Sequence, residues 1–191
     1  MSEGIAVSRD LALSVASNII KVLEPLVDRV EIAGSLRRER KTVNDIEIVC
    51  TLTPQVDLLG NRYTDPDRIN YAIADAGWII RKSGEKYKKI MVGPVGVDLF
   101  ITTPDQWGLI FMLRTGCAEF SKLMVTPRRL RGLMPSNMRV DGGRLWQGRK
   151  SVPVPEESDL FAAYGLRFIP PKFREPAYFE LIRNATLQGA D

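Results

Sequence analysis

The stretch Gly34-Ser35-Leu36-Arg37-Arg38-Glu39-Arg40-Lys41-Thr42-Val43-Asn44-Asp45-Ile46-Glu47-Ile48-Val49 decides how the chain is read. Its second half alternates acidic and apolar side chains. In a strand, residues i and i+2 share a face, about 6.8 Å apart. Asp45 and Glu47 therefore point one way, and Ile46 and Ile48 point into a core. Two carboxylates about 6 Å apart repel by roughly 3 kcal/mol at an effective dielectric of 20. A strand gains no stability from that repulsion, whereas a divalent cation with oxygen ligands converts it into coordination. In the first half, Val30 to Ala33 read as a strand that runs into Gly34-Ser35, ahead of a helical turn. Glycine lets backbone approach a ligand closely, and free N–H groups there favour a phosphate. Arg38, one turn on, adds a charge-assisted contact.

A third acid, Asp98, sits alone among apolar residues in Val95-Gly96-Val97-Asp98-Leu99-Phe100. A lone buried Asp is costly unless it is paired or bound to metal. If the strands carrying 45–52 and 96–102 are neighbours, three carboxylates converge on one edge. That geometry holds two Mg²⁺ ions for phosphoryl transfer. Each piece has a plainer reading: Gly-Ser as a turn, Asp-x-Glu as a solvated strand edge, Asp98 as a cap or ion-pair partner. The specificity lies in their joint occurrence, in this order.

The rest of the composition narrows the chemistry. The chain has 191 residues, 45% hydrophobic and 26% charged, which suits one globular domain or one with a small satellite. It contains no histidine. That excludes Ser-His-Asp and Cys-His catalysis, His-liganded zinc and an imidazole base. Cys50 and Cys117 alone make neither a Cys-rich zinc site nor a disulfide framework. No apolar run reaches the ~18–20 residues that span a bilayer. Met1-Ser2-Glu3-Gly4 does not open a signal peptide. The expected setting is cytoplasmic, or another compartment holding nucleic acid, not secreted and without a membrane partner.

The net charge of +4 is uneven. Residues 121–150 carry Lys122, Arg128, Arg129, Arg131, Arg139, Arg144, Arg149 and Lys150 against Asp141 alone. Such a stretch reads either as a solvated face or as a surface for phosphate backbone. Ser83-Gly84-Glu85-Lys86-Tyr87-Lys88-Lys89 offers a second basic strip on a hairpin, with the same two readings.

Periodicity predicts a helix over 8–28, capped by Ser8, and a strand over 45–52. A loop follows over 54–65, then a helix over 66–77. Strands are expected near 78–82, 87–92 and 96–102. Beyond them come a helix from Asp105 to Gly116, a second helix over 118–132, and a hairpin flanking Asp141-Gly142-Gly143. A short helix over 156–163 ends at Gly165. The fold class is α+β, with a mixed, mostly antiparallel sheet. A boundary is expected near 104.

Taken together, Gly34-Ser35-x-Arg37-Arg38, Asp45-x-Glu47 and Asp98 resemble the active-site pattern of family X DNA polymerases. Pro104-Asp105-Gln106-Trp107-Gly108 with Thr115-Gly116, and Val152-Pro153 through Glu156-Glu157-Ser158-Asp159-Leu160-Phe161 to Arg174-Glu175-Pro176, resemble later family signatures. The likeness spans about residues 8–178. It implies a nucleotidyltransferase palm over 1–104 and a small C-terminal thumb-like α/β subdomain over 105–191, with no lyase domain and a monomeric state. It implies that Asp45, Glu47 and Asp98 hold two Mg²⁺, for which Mn²⁺ can substitute. Gly34, Ser35 and Arg38 would hold the β and γ phosphates of a nucleoside triphosphate, with Asn44 nearby. Arg114, Thr115 and Gly116 would border the nucleotide. Lys86, Lys88, Lys122, Arg128, Arg129 and Arg131 would contact DNA, as primer-template or gapped duplex.

Three positions depart from the family pattern. Glu47 stands where the family usually has Asp, Gly96 where it has Arg, and Leu113-Arg114 where it has Tyr-Phe. Two other functions fit the same residues: nucleotidyl transfer to RNA, protein or a small hydroxylated acceptor, and a degenerate module that only binds DNA.

Overall fold

The computed structural model describes residues 5–182. Residues 1–4, on which the signal-peptide reading rests, and 183–191 of the expected C-terminal subdomain lie outside them. The chain divides between Thr103 and Pro104 into two compact units, each with its own core.

The first unit contains β1 (Val7–Ser8), α1 (Arg9–Leu23), β2 (Val27–Ile32), α2 (Gly34–Arg37), β3 (Thr42–Val43), β4 (Asp45–Leu52), β5 (Gln55–Val56), β6 (Arg62–Tyr63), α3 (Asp67–Asp75), β7 (Ile79–Ser83), β8 (Tyr87–Val92) and β9 (Val95–Thr102). Ser8 caps α1 as expected, its hydroxyl accepting from the Leu11 N–H at 3.3 Å. Ala12, Ala16, Ile19 and Leu23 form the buried stripe. The helix expected to reach residue 28 ends at Leu23. Pro25 sits in a 3-10 turn, Glu24–Leu26, and Val27 already begins β2. Proline has no N–H to continue the helical ladder, and its ring clashes with the preceding turn.

The five-stranded sheet has the order β2-β4-β9-β8-β7. Strands β4 and β9 run parallel, and every other neighbouring pair is antiparallel. The sheet is therefore mixed and the fold is α+β. Ile46, Ile48, Val97 and Leu99 meet Ile19 of α1 and Ile73 of α3 on one face. The alternate residues of β4 and β9, among them Asp45, Glu47 and Asp98, project from the other. The 54–65 segment is not a plain loop: β5 and β6 pair across a turn in which Asp57 Oδ1 accepts from the N–H groups of Leu59 and Asn61, both at 2.8 Å.

The second unit contains α4 (Trp107–Thr115), α5 (Ala118–Val125), β10 (Met138–Asp141), β11 (Arg144–Gln147), β12 (Lys150–Val152) and α6 (Glu157–Ala163). The helix expected over 118–132 stops at Val125 because Pro127 follows, and a separate 3-10 turn covers Arg128–Leu130. Gly142 and Gly143, with φ of 59° and 79°, turn β10 into β11, as a two-residue hairpin with both φ positive demands. The third strand, β12, was not expected. Lys150-Ser151-Val152 is too short to show an alternating pattern, and only pairing with β11 makes it a strand.

Arg174 organises the second core. It is fully buried, forms an ion pair with Glu157, and donates through Nε to the Ile169 carbonyl at 2.8 Å. Its guanidinium lies 5.3–5.7 Å from the ring centroids of Phe120, Phe161 and Phe168. Among the described residues, no helix is long and apolar enough to cross a membrane.

Candidate active site

Strand register brings the acids together. In the parallel pair, Glu47 stands opposite Asp98, and Asp45 opposite Gly96. Register partners on adjacent strands face the same side of a sheet. Asp45 and Glu47 share a face by spacing, and Asp98 joins them by pairing.

The antiparallel β2–β4 pair supplies the next part. Ile32 pairs with Ile48, and the Ala33 N–H donates to the Glu47 carbonyl at 2.8 Å. That bond sets Gly34 beside Glu47 as the chain turns into α2. Gly34 adopts φ of 62°. A Cβ placed on it would lie 2.1 Å from Glu47 Oε2 and 3.0 Å from Glu47 Cβ. The backbone angle favours glycine here, and an added Cβ would displace the Glu47 carboxylate. Intrahelical bonding in α2 starts with the Arg37 N–H, which donates to Ala33. Helix geometry leaves the preceding first-turn N–H groups with no intrahelical acceptor.

A cleft of about 390 Å³ opens over this corner, lined by Ser35, Arg38, Arg40, Thr42, Asn44, Asp45, Glu47 and Asp98. Every acidic and phosphate-binding candidate read from residues 34–47 and 98 is at this corner. Arg40 and Thr42 are additions from the structure.

Two residues of the basic strip over 83–89 stand beside the acids, a placement the sequence reading did not make. Tyr87 donates its hydroxyl to Asp98 Oδ1 at 2.7 Å. The Lys89 ammonium lies 3.4 Å from the same oxygen and 3.5 Å from Asp45 Oδ1. Burial lowers the Lys89 pKa, but the Asp98 and Asp45 carboxylates outweigh it and raise the pKa above the ordinary lysine value. A signal for both was present. The tight turn at Gly93-Pro94 joins β8 to β9, and counting outward from Val92 opposite Val95 puts Lys89 opposite Asp98.

The same count corrects Lys88. Expected to touch DNA, it is 0% exposed. It lies on the core-facing side of β8, where its ammonium donates to Ser83 Oγ at 2.9 Å and lies 4.0 Å from Asp67. Burial lowers its pKa, against the opposing pull of Asp67 and Asp65. Lys86 is exposed at the end of the hairpin.

The remaining candidates belong to the second unit. Arg114 is exposed at the end of α4. Thr115 is fully buried. Gly116 fits the contact between α4 and α5, where an added Cβ would lie 2.5 Å from Phe120 Cδ1. Lys122, Arg128, Arg129 and Arg131 are all exposed. Arg128 also donates to the Tyr164 carbonyl, and the Arg139 guanidinium stacks 5.1 Å from the Trp146 ring centroid. Neither thiol is placed for nucleophilic chemistry. Burial pushes Cys50 up to about 12, against the lowering effect of Lys88, and burial also raises Cys117.

Among the described residues, no three acidic or Cys side chains stand ready-grouped around one metal position. The donor set nonetheless fits a hard divalent cation. It consists of carboxylate oxygens on adjacent strands, and Asp45 Oδ1 is buried with no hydrogen-bond partner. In comparisons with known proteins, no family model and no curated protein matches the chain.

Proposed function

We propose that the chain is a metal-dependent nucleotidyltransferase that adds nucleotides to a DNA 3′-hydroxyl, in the manner of a compact family X DNA polymerase. In this reading the first unit is the palm and the second a thumb-like subdomain. The observation that carries it is the register of Glu47 opposite Asp98, which puts three carboxylates on one face beside the Gly34-Ser35 turn.

The residues divide the work by charge. The first-turn amides at Gly34 and Ser35, with Arg38 and Arg40, offer donors and positive charge for the terminal phosphates of a nucleoside triphosphate. Asp45, Glu47 and Asp98 would hold two Mg²⁺ ions, or Mn²⁺ in their place, which when bound stabilise charge on the transferring phosphate and lower the pKa of the acceptor hydroxyl. Tyr87 and Lys89 anchor Oδ1 of Asp98 and so fix its orientation. The acceptor 3′-oxygen attacks the α-phosphorus in line and pyrophosphate leaves. The protein's share is position and charge, with no covalent intermediate. The exposed Lys122, Arg129 and Arg131 favour a polyanionic acceptor over a small one, through contacts that weaken with salt.

Primer extension tests the reading. The full chain is incubated with Mg²⁺ or Mn²⁺, each of the eight nucleoside triphosphates, and a DNA primer with or without template. Incorporation that rises with triphosphate concentration is expected. No incorporation under any of these conditions would overturn it. Transfer to RNA or protein in preference to DNA would replace the acceptor while keeping the chemistry.

A further inference from the structure

Two acids of the cleft, Asp45 and Asp98, already have an ammonium beside them. Lys89 stands on β8, yet its ammonium reaches across β9 to Asp45 on β4 while touching Asp98 on the way. The residue on that path is Gly96, which pairs with Asp45 and shares its face with Asp98. With no side chain at position 96, the ammonium has room to lie between the two carboxylates. The ammonium lies 3.5 Å from Asp45 Oδ1 and 3.4 Å from Asp98 Oδ1, a long ion pair to each. Such a contact holds the acids together and yields to a stronger charge.

We infer that Lys89 is a built-in counter-ion, a positioning residue that occupies the space between Asp45 and Asp98 and disfavours a divalent cation entering alone. The inference rests on the reading of the three acids as a cation-binding set, and adds to it an order of loading. A bare divalent cation meets carboxylates already partly neutralised by an ammonium about 3.5 Å away. A cation that arrives with a triphosphate brings several negative charges, and these offset the repulsion from Lys89. Arg38 and Arg40, on the same cleft, draw the same polyanion. The cleft thereby favours the cation–triphosphate complex over the free ion.

The test measures binding, not turnover. Mn²⁺ is titrated into the full chain and followed by electron paramagnetic resonance, first alone and then with a non-hydrolysable nucleoside triphosphate. Lys89→Met should bind Mn²⁺ alone about tenfold more tightly than the wild type, or better. Lys89→Arg, which keeps the charge, should remain within about threefold of the wild type, and the triphosphate should narrow the gap between wild type and Lys89→Met. Lys89→Gln is the neutral substitute should the methionine variant fail to fold, as judged by circular dichroism. If the neutral variants bind Mn²⁺ no more tightly than wild type while Asp98→Asn abolishes binding, the counter-ion role is wrong and the acidic site stands. If no variant binds Mn²⁺ with or without triphosphate, the reading of the acidic site fails and takes the counter-ion with it.

Discussion

Arg174 in the second unit and Asp45 in the first are both ionised side chains set among packed neighbours, and their surroundings differ. Arg174 has a carboxylate from Glu157, a carbonyl from Ile169 and three aromatic faces around it. Asp45 shares one ammonium with Asp98, and Glu47 stands on the same face. A buried charge kept for structure is matched to a dedicated partner, because removing it from water is otherwise too costly. Like charges crowded on one sheet face cost stability. The contrast separates a charge with a partner of its own from charges that share one.

The largest test of that contrast is Arg174→Met. It leaves Glu157 buried without its partner and should lower the unfolding free energy by about 3–5 kcal/mol in urea titration. A loss under about 1 kcal/mol would make the pair dispensable and weaken the comparison on its structural side. Asp98→Asn tests the other side. Turnover should fall roughly 100- to 1000-fold, while the urea midpoint changes little, because the repulsion relieved is offset by the lost ion pair with Lys89. A variant both active and unchanged in stability would remove Asp98 from the chemistry. Gly34→Ala falls between the two. The left-handed backbone should cost about 1–2 kcal/mol of stability, and the new Cβ should push the Glu47 carboxylate aside and reduce turnover. Full activity in that variant would show that Glu47 need not sit over Gly34. Ser8→Ala is the smallest effect, about 1 kcal/mol of stability from a lost helix cap, with turnover per folded molecule unchanged.

Local chemistry made much of this legible. Ser8 announced the start of α1, Gly142 and Gly143 the β10–β11 turn, and the alternation of Asp45-Ile46-Glu47-Ile48 the face each side chain takes. The misses have physical causes of the same kind. Pro25 and Pro127 end helices that apolar spacing alone would extend. The strand β12 carries no pattern of its own. Lys88 and Lys89 are chemically equal, and only a count back from the Gly93-Pro94 turn tells the core-facing one from the one opposite Asp98.

By itself, the sequence determined that Asp45 and Glu47 share a face, that Asp98 lies on an apolar strand, and that a glycine turn precedes the first acids. These follow from the two-residue period of a strand and the conformational freedom of glycine, both properties of neighbouring residues. Tertiary structure alone decided that β4 lies parallel to β9 with Glu47 opposite Asp98, that Glu47 covers Gly34, and that Lys89 lies between two acids. Those depend on which strands pair and in what register. That choice is made by the burial of a whole sheet face against α1 and α3, and no short stretch of sequence contains it.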